Sequence, residues 1–334
     1  MRKAVLFLCC LASLSLTCSC GKRKMTEAEK EQLLSLYPKL FHSGDPVQID
    51  IMSNQILAAV SKDNPDMDLQ FLLIHAYTAK AFAANLRKDK KQAVKYLETA
   101  SSLLSSLKHS FYKLKSQCDI YFIYYQIQQD DPNQAEKWLV RLEQLIDQGM
   151  STYDFKYGSE NYRRFLYSRY GENSLLRANF LINHKKDCSS AEKIMLESLK
   201  KQEKWAGSEA FISQMYGYDL LSEIYFRKKD DTSCCLYAEK AVRLAAKLGQ
   251  FPLYAPYHYY TLKMKNQKYE SALSCCKQVL DIESVKKSKM SHIRKAYLIK
   301  ASDACKKMKD FKNAEYYLSQ ADKIAFPLET DIKK

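Results

Sequence analysis

Glycine and proline are scarce in this 334-residue chain, at 8 and 7 residues. Loops that cradle phosphate need glycine where the backbone meets the ligand, and neither GxGxxG nor GxxxxGKS/T occurs. Nucleotide binding through a glycine-rich loop is therefore excluded. No CxxC, HExxH or GxSxG appears either, which removes the usual zinc, metalloprotease and serine-hydrolase signatures. His42, His75, His109, His184, His258 and His292 stand at no repeated spacing from any carboxylate. The sequence therefore offers no cofactor, no metal and no catalytic constellation, and it reads as a non-enzyme. After residue 20 no stretch approaches the roughly 20 apolar residues needed to cross a bilayer.

The first residues have a different character. Arg2 and Lys3 precede an apolar run from Ala4 to Leu16, and Thr17-Cys18-Ser19-Cys20 closes it with small residues. This resembles a bacterial lipoprotein signal over residues 1–19, in which cleavage frees Cys20 for lipidation. Cys18 is the alternative anchor, and Thr17 departs from the leucine usual three residues before the lipidated cysteine. Residues 20–25 follow as a basic tether, with Gly21-Lys22-Arg23-Lys24 suited to phosphate headgroups. The resemblance implies export and a lipid anchor on a bacterial membrane, at a periplasmic or cell-surface location, with the outer membrane favoured. Loss of Arg2 and Lys3 with the leader lowers the formal charge from +15 to +13. An exported chain rarely meets nucleic acid, so this charge points to an anionic membrane or an acidic partner.

Seven cysteines follow the anchor: Cys118, Cys188, Cys234, Cys235, Cys275, Cys276 and Cys305. An odd number suits no closed disulfide framework. The adjacent pairs fall in predicted helices, where neighbouring side chains diverge by about 100° and cannot bridge. Both pairs read as small apolar residues at helix crossings.

Low glycine and proline with abundant leucine, lysine, tyrosine and alanine predict a helical chain with short connections. Residues 26–67 read as an opening helix pair, begun by a capping box of Thr26 and Glu29. Beyond it a hairpin recurs. The small residue opening each second helix is Ala93, Ala135, Ala191, Cys234, Ala272 and Ala314. Small or apolar residues follow at Leu97, Leu139, Met195, Ala238, Cys276 and Leu318, on the same helical face. Tyr218, Ser222 and Tyr225 set the matching pattern on a first helix, and polar residues 228–231 make the turn between the two.

This pattern resembles the tetratricopeptide repeat. It implies an all-α, right-handed solenoid of antiparallel helix pairs across residues 68–326, followed by a frayed tail at 327–334. Successive anchors lie 42, 56, 43, 38 and 42 residues apart, longer than the 34-residue tetratricopeptide unit. The small position of the first helix holds Ile123, Asn179 and Tyr260 in three pairs. A HEAT-type helical repeat is the alternative with this spacing.

The 56-residue interval leaves room for an extra helix near 159–170. Around it lie Tyr153, Tyr157, Tyr162, Tyr167 and Tyr170 with Arg163, Arg164 and Arg169, the residue types that dominate binding hot spots. The amphipathic spacing of Tyr162, Phe165 and Leu166 favours packing of this stretch onto the stack over a ligand surface. A second aromatic run spans Phe251 to Tyr260 and reads as inter-repeat packing. The family register places His75, Phe82, Asn173, Asn183, Tyr216, Arg227, Tyr254, Tyr257, Lys306 and Lys307 on the inner face. The lysine–asparagine clamp that some tetratricopeptide domains use for a terminal carboxylate is replaced here by Asp219 with Glu223, and by Ile299 with Asp303. The candidate partner-binding residues are therefore Tyr157, Tyr162, Arg163, Arg164, Arg169, Tyr216, Arg227, Tyr254 and Tyr257. The reading is a membrane-tethered scaffold for a protein or peptide partner. A sensory lipoprotein for a peptide or glycan, and an assembly factor for outer-membrane barrels, are its rivals. Only Trp138 and Trp205 would serve a sugar platform.

Overall fold

The computed structural model describes residues 25–41, 43–152, 159–203, 208–286 and 290–324. Cys20 and Tyr157 lie outside these residues, as do the leader and the tail. Everything described is helix or short connection. The chain divides into two compact units, residues 1–108 and 109–334.

The first unit opens with α1 (Glu27–Leu34), where the Thr26 backbone N–H donates to Glu29 at 2.8 Å and the Glu29 N–H donates back to the Thr26 hydroxyl. Reciprocal capping of this kind satisfies N–H groups that no helical carbonyl can reach. Helices α2 (Tyr37–Leu40) and α3 (Pro46–Ala59) follow, and Asp45 caps α3. Then come α4 (Met67–Leu86) and α5 (Lys90–Leu103), the first repeat-type hairpin. Leu40, Ile49, Ile56, Leu72, Ala76 and Ala83 form one buried core among them. The inner-face candidate His75 is fully enclosed, with the rings of Phe71 and Tyr37 4.2 and 4.9 Å away, and Phe82 packs on the same core. Neither lies on an open groove.

The second unit holds five more hairpins. They are α6 (Ser110–Ile127) with α7 (Pro132–Thr152), α8 (Glu160–Phe180) with α9 (Cys188–Gln202), and α10 (Ser208–Arg227) with α11 (Asp231–Leu248). After them come α12 (Ala255–Lys265) with α13 (Tyr269–Asp281), a single turn α14 (Glu283–Lys286), and α15 (Ser291–Lys307) with α16 (Phe311–Asp322). The six anchor positions are all buried, none more than 2% exposed. Small side chains there let paired helices approach, and between neighbouring hairpins Gly217 of α10 does the same, since an added Cβ would stand 3.0 Å from Leu199 of α9. The Cys234 thiol lies in the α10–α11 crossing, donating to the Ser222 carbonyl at 3.2 Å. The seven cysteines are free thiols, five of them buried.

The segment 159–170, expected as an extra helix, is the first half of α8. That helix continues unbroken into the first helix of the third pair and ends in a π-turn at Leu181–Lys185. The long interval thus lengthens one hairpin and adds none. Ser159 starts the helix by capping the Tyr162 N–H, and Leu166 anchors it in the core against Leu114 and Ile146.

Five of the six hairpin turns share a device. The residue closing the first helix has positive φ, between 56° and 63°, at Lys88, Lys186, Lys229, Gln267 and Lys309. In four of the five an aspartate comes next and caps the second helix: Asp89, Asp187, Asp230 and Asp310. The backbone N–H of Asp230 also reaches back to the Tyr225 carbonyl at 3.0 Å, and that of Asp310 to the Cys305 carbonyl at 2.9 Å.

Candidate functional site

The sequence candidates separate into two groups. Tyr162 packs against Phe111, ring centroids 5.0 Å apart, and belongs to the α6–α8 core. Arg163 is ion-paired with Glu160 on its own helix, and Arg164 is exposed. Arg169 ties α8 to α6 by pairing with buried Asp119, and it holds Glu172 at 2.8 Å. Burial pushes the Asp119 carboxyl up and the Arg169 charge pulls it back. This group links helices of adjacent repeats. Tyr216 also faces inward, half-buried on the core of the following repeats, with its hydroxyl 3.5 Å from Gln250. Asn173 is buried and Asn183 exposed. Lys306 and Lys307 are exposed at the end of α15.

Arg227, Tyr254 and Tyr257 do come together, at the junction of α10 and α12. Tyr254 holds the N-cap position of α12 and has no side-chain acceptor for the first helical N–H groups. Asp219 supplies it from α10, accepting N–H bonds from Leu253, Tyr254 and Ala255 at 2.9, 2.8 and 2.6 Å. One turn further along α10, Glu223 meets His258 Nε2 at 2.7 Å. A further turn on, Arg227 Nε donates to the other Glu223 oxygen at 2.5 Å. Spacing of four residues puts all three side chains on one helical face. Burial pushes the Asp219 carboxyl up to about 6, against the pull of its three N–H donors and of His258. The His258 hydrogen bond holds Glu223 below the usual carboxylate range, with Arg227 adding to it.

Aromatic rings close over the imidazole. Phe226 stacks on His258 at 4.1 Å, Tyr257 meets it edge-on at 5.7 Å, and Tyr254 lies parallel at 6.3 Å. His258 is 4% exposed, so neither ring nitrogen reaches solvent to exchange a proton with a substrate. Outside this buried centre the surface is apolar and cationic. Leu253 is 67% exposed and Tyr257 50%, and Lys300 of α15 sets its ammonium 5.1 Å over the Tyr257 ring. Three successive first helices therefore contribute to one face, held in place by the Asp219 cap and the Glu223–His258 bond. No cluster of metal-ligating side chains occurs among the described residues.

Asp219, Glu223 and His258 are the residues that sequence reasoning passed over as site-builders. The four-residue spacing of Asp219, Glu223 and Arg227 was visible, but the partners of Asp219 and Glu223 lie 34 to 36 residues away and only folding joins them.

No family model matches the chain, and no curated protein matches its sequence. Solved structures do match. The crystal structure of the apo form of RapI superposes with a TM-score of 0.53 at 13% identity, covering 97% of this chain and 92% of that one. A signal-transduction ATPase with numerous domains and a tetratricopeptide-repeat sensor, from Pyrococcus horikoshii, gives 0.46 at 15% identity. That match covers 90% of this chain and 50% of the other. The fold is an all-α solenoid of tetratricopeptide-like helix pairs.

Proposed function

We propose that this protein is a non-catalytic, membrane-tethered scaffold that holds a protein or peptide partner on its first-helix face. The observation that carries the reading is the apolar and cationic surface of exposed Leu253, Tyr257 and Arg227 with half-buried Lys300 on a rigid support. Large rings with few rotatable bonds lose little entropy on binding, which suits them to anchor a partner. Lipidation at Cys20 supplies the tether. The basic run at residues 22–24 supports it, since cations beside the anchor are drawn to anionic headgroups.

Crosslinking in native cells followed by mass spectrometry tests the scaffold, and metabolic labelling with an alkynyl palmitate tests the tether. The reading expects a reproducible protein partner, and a lipid label lost in Cys20→Ser. Turnover of a substrate by the purified chain, dependent on one residue, would contradict it. Retention of a small glycan in place of a protein would move the reading to a ligand-binding lipoprotein.

A further inference from the structure

The hairpin turns of the second unit share one edge of the stack. Ion pairs show their adjacency: Lys185 of the third turn reaches Glu136 at 3.0 Å, and Lys265 of the fifth reaches Asp231 of the fourth at 2.8 Å. Lys228 likewise pairs with Glu192 at the start of α9. Beside these paired lysines stand exposed Lys186, Lys229, Lys268, Lys306, Lys307, Lys309 and Lys312, with no ion pair among the described residues. The aspartates nearby stay ionised and offset part of this charge. Asp187, Asp230 and Asp310 turn to the N–H groups of Ser190, Ser233 and Asn313, and Asp231 serves Lys265. Those three caps and Glu270 offset four of the seven unpaired lysines, and the edge keeps a positive surplus.

Backbone conformation adds a second observation. Lys186, Lys229 and Lys309 sit at φ of 56°, 61° and 62°. Glycine is the residue favoured there, because a side chain in the left-handed region costs on the order of 1 kcal/mol. The chain does use glycine for this purpose on the opposite edge, where Gly249 ends α11 at φ 65°. A cation near a helix C-terminus recovers part of the cost through the helix dipole. Lys185, Lys228, Lys306 and Lys307 already fill that role one to three residues earlier. Lys186 turns its ammonium back to the Asn183 carbonyl at 2.7 Å, whereas strain retained at Lys229 and Lys309 for a protruding lysine marks a surface kept for its charge. Phe311 lies on the same edge at 63% exposure in the sixth turn, and Phe226 beside the fourth is partly exposed with its ring stacked on His258.

We infer that this lysine edge is a docking surface for an anionic lipid bilayer. The edge is a line of cations with aromatic side chains at its level, the combination that seats a protein at phosphate headgroups. It rests on the tethered reading for its setting, since a lipid anchor would hold the chain within reach of the headgroups.

The test uses the full chain carrying Cys20→Ser, so that no acyl chain contributes. Binding is measured by co-sedimentation with phosphatidylcholine vesicles containing about a third phosphatidylglycerol, and with pure phosphatidylcholine vesicles, in about 150 mM salt where the Debye length is about 8 Å. Lys186→Gln, Lys229→Gln, Lys268→Gln and Lys309→Gln are combined in one variant. A control variant combines Lys113→Gln, Lys200→Gln, Lys247→Gln and Lys323→Gln, exposed lysines at the other edge. Thermal melts establish that both remain folded. Each edge lysine is expected to contribute about fivefold, so the four changes together lose on the order of several hundredfold in affinity for anionic vesicles while the control stays within about threefold. Equal losses in both variants would overturn the inference, as would equal binding to pure phosphatidylcholine. So would an edge that captures soluble polyglutamate and ignores vesicles, which would assign it to an acidic protein. An unlabelled Cys20 with intact vesicle binding would remove the tether and leave this edge standing.

Discussion

The Asp219 carboxylate of α10 accepts the Ala255 N–H at 2.6 Å, and so the first turn of α12 is capped by the preceding repeat. Neighbouring hairpins are coupled through a side chain that belongs to one and completes the other. Asp219→Ala strands three N–H groups, at least one of them buried. It should lower the free energy of unfolding by roughly 3 kcal/mol in urea denaturation. A loss below about 1 kcal/mol would mean that water replaces the cap.

The same junction should respond to pH in two opposed ways. Asp219 titrates near 6 in the folded chain, above the ordinary value of 3.8, so between those values the folded state keeps a proton that the unfolded chain has released. Its contribution is full below about 3.8 and is lost as pH rises through 6, amounting to roughly 3 kcal/mol at most. Glu223 is held low, so its contribution is present above 4.5 and lost as pH falls through its depressed value. Asp219→Asn should flatten the stability profile between pH 4 and 6. Glu223→Gln should flatten it below pH 4.5. Urea midpoints measured across pH 3 to 7 check both, and exchanged effects would refute the assignment.

At the lysine turns, stability and charge pull apart. Lys229→Gly should raise stability by about 0.5–1 kcal/mol, the left-handed strain relieved less the entropy that glycine adds to the unfolded chain. Lys229→Ala, which keeps the Cβ, should gain nothing. A thermal melt comparing the three chains decides this.

Thiol reactivity should follow burial. Cys235 and Cys188 are half-exposed, whereas Cys118, Cys234, Cys275, Cys276 and Cys305 are buried. Burial pushes the Cys118, Cys234 and Cys275 thiols up to about 12, far from the reactive thiolate. Brief iodoacetamide labelling followed by peptide mass spectrometry should modify only the first two of these seven, and all seven in urea. Labelling of Cys276 in the folded chain would contradict the packing.

The repeat architecture was legible because small residues at fixed helical spacing constrain packing directly. Ala93, Cys234 and Ala314 marked hairpins that the structure places as expected. The continuity of α8 was hidden, since nothing between Ser168 and Asn173 distinguishes a helix that ends from one that runs on. Pairing lysine with aspartate at residues 88–89, 186–187, 229–230 and 309–310 was visible in the sequence. It carries meaning only once the positive φ and the cap are known. The site at α10 and α12 was half legible. Arg227, Tyr254 and Tyr257 follow from residue type and register, whereas the Glu223–His258 bond depends on a tertiary contact that spacing does not encode. Arg169 shows the converse: a binding-type residue that folding commits to Asp119.

The most direct test places a photo-crosslinking phenylalanine at position 257 and, separately, at exposed position 315 on α16, in the full chain in its native cells. The account predicts one reproducible protein adduct from position 257, weakened at least fivefold by Arg227→Ala, and none from position 315. The same adducts from both positions, or none from 257 while the protein remains folded and abundant, would contradict a partner-binding face at the α10–α12 junction.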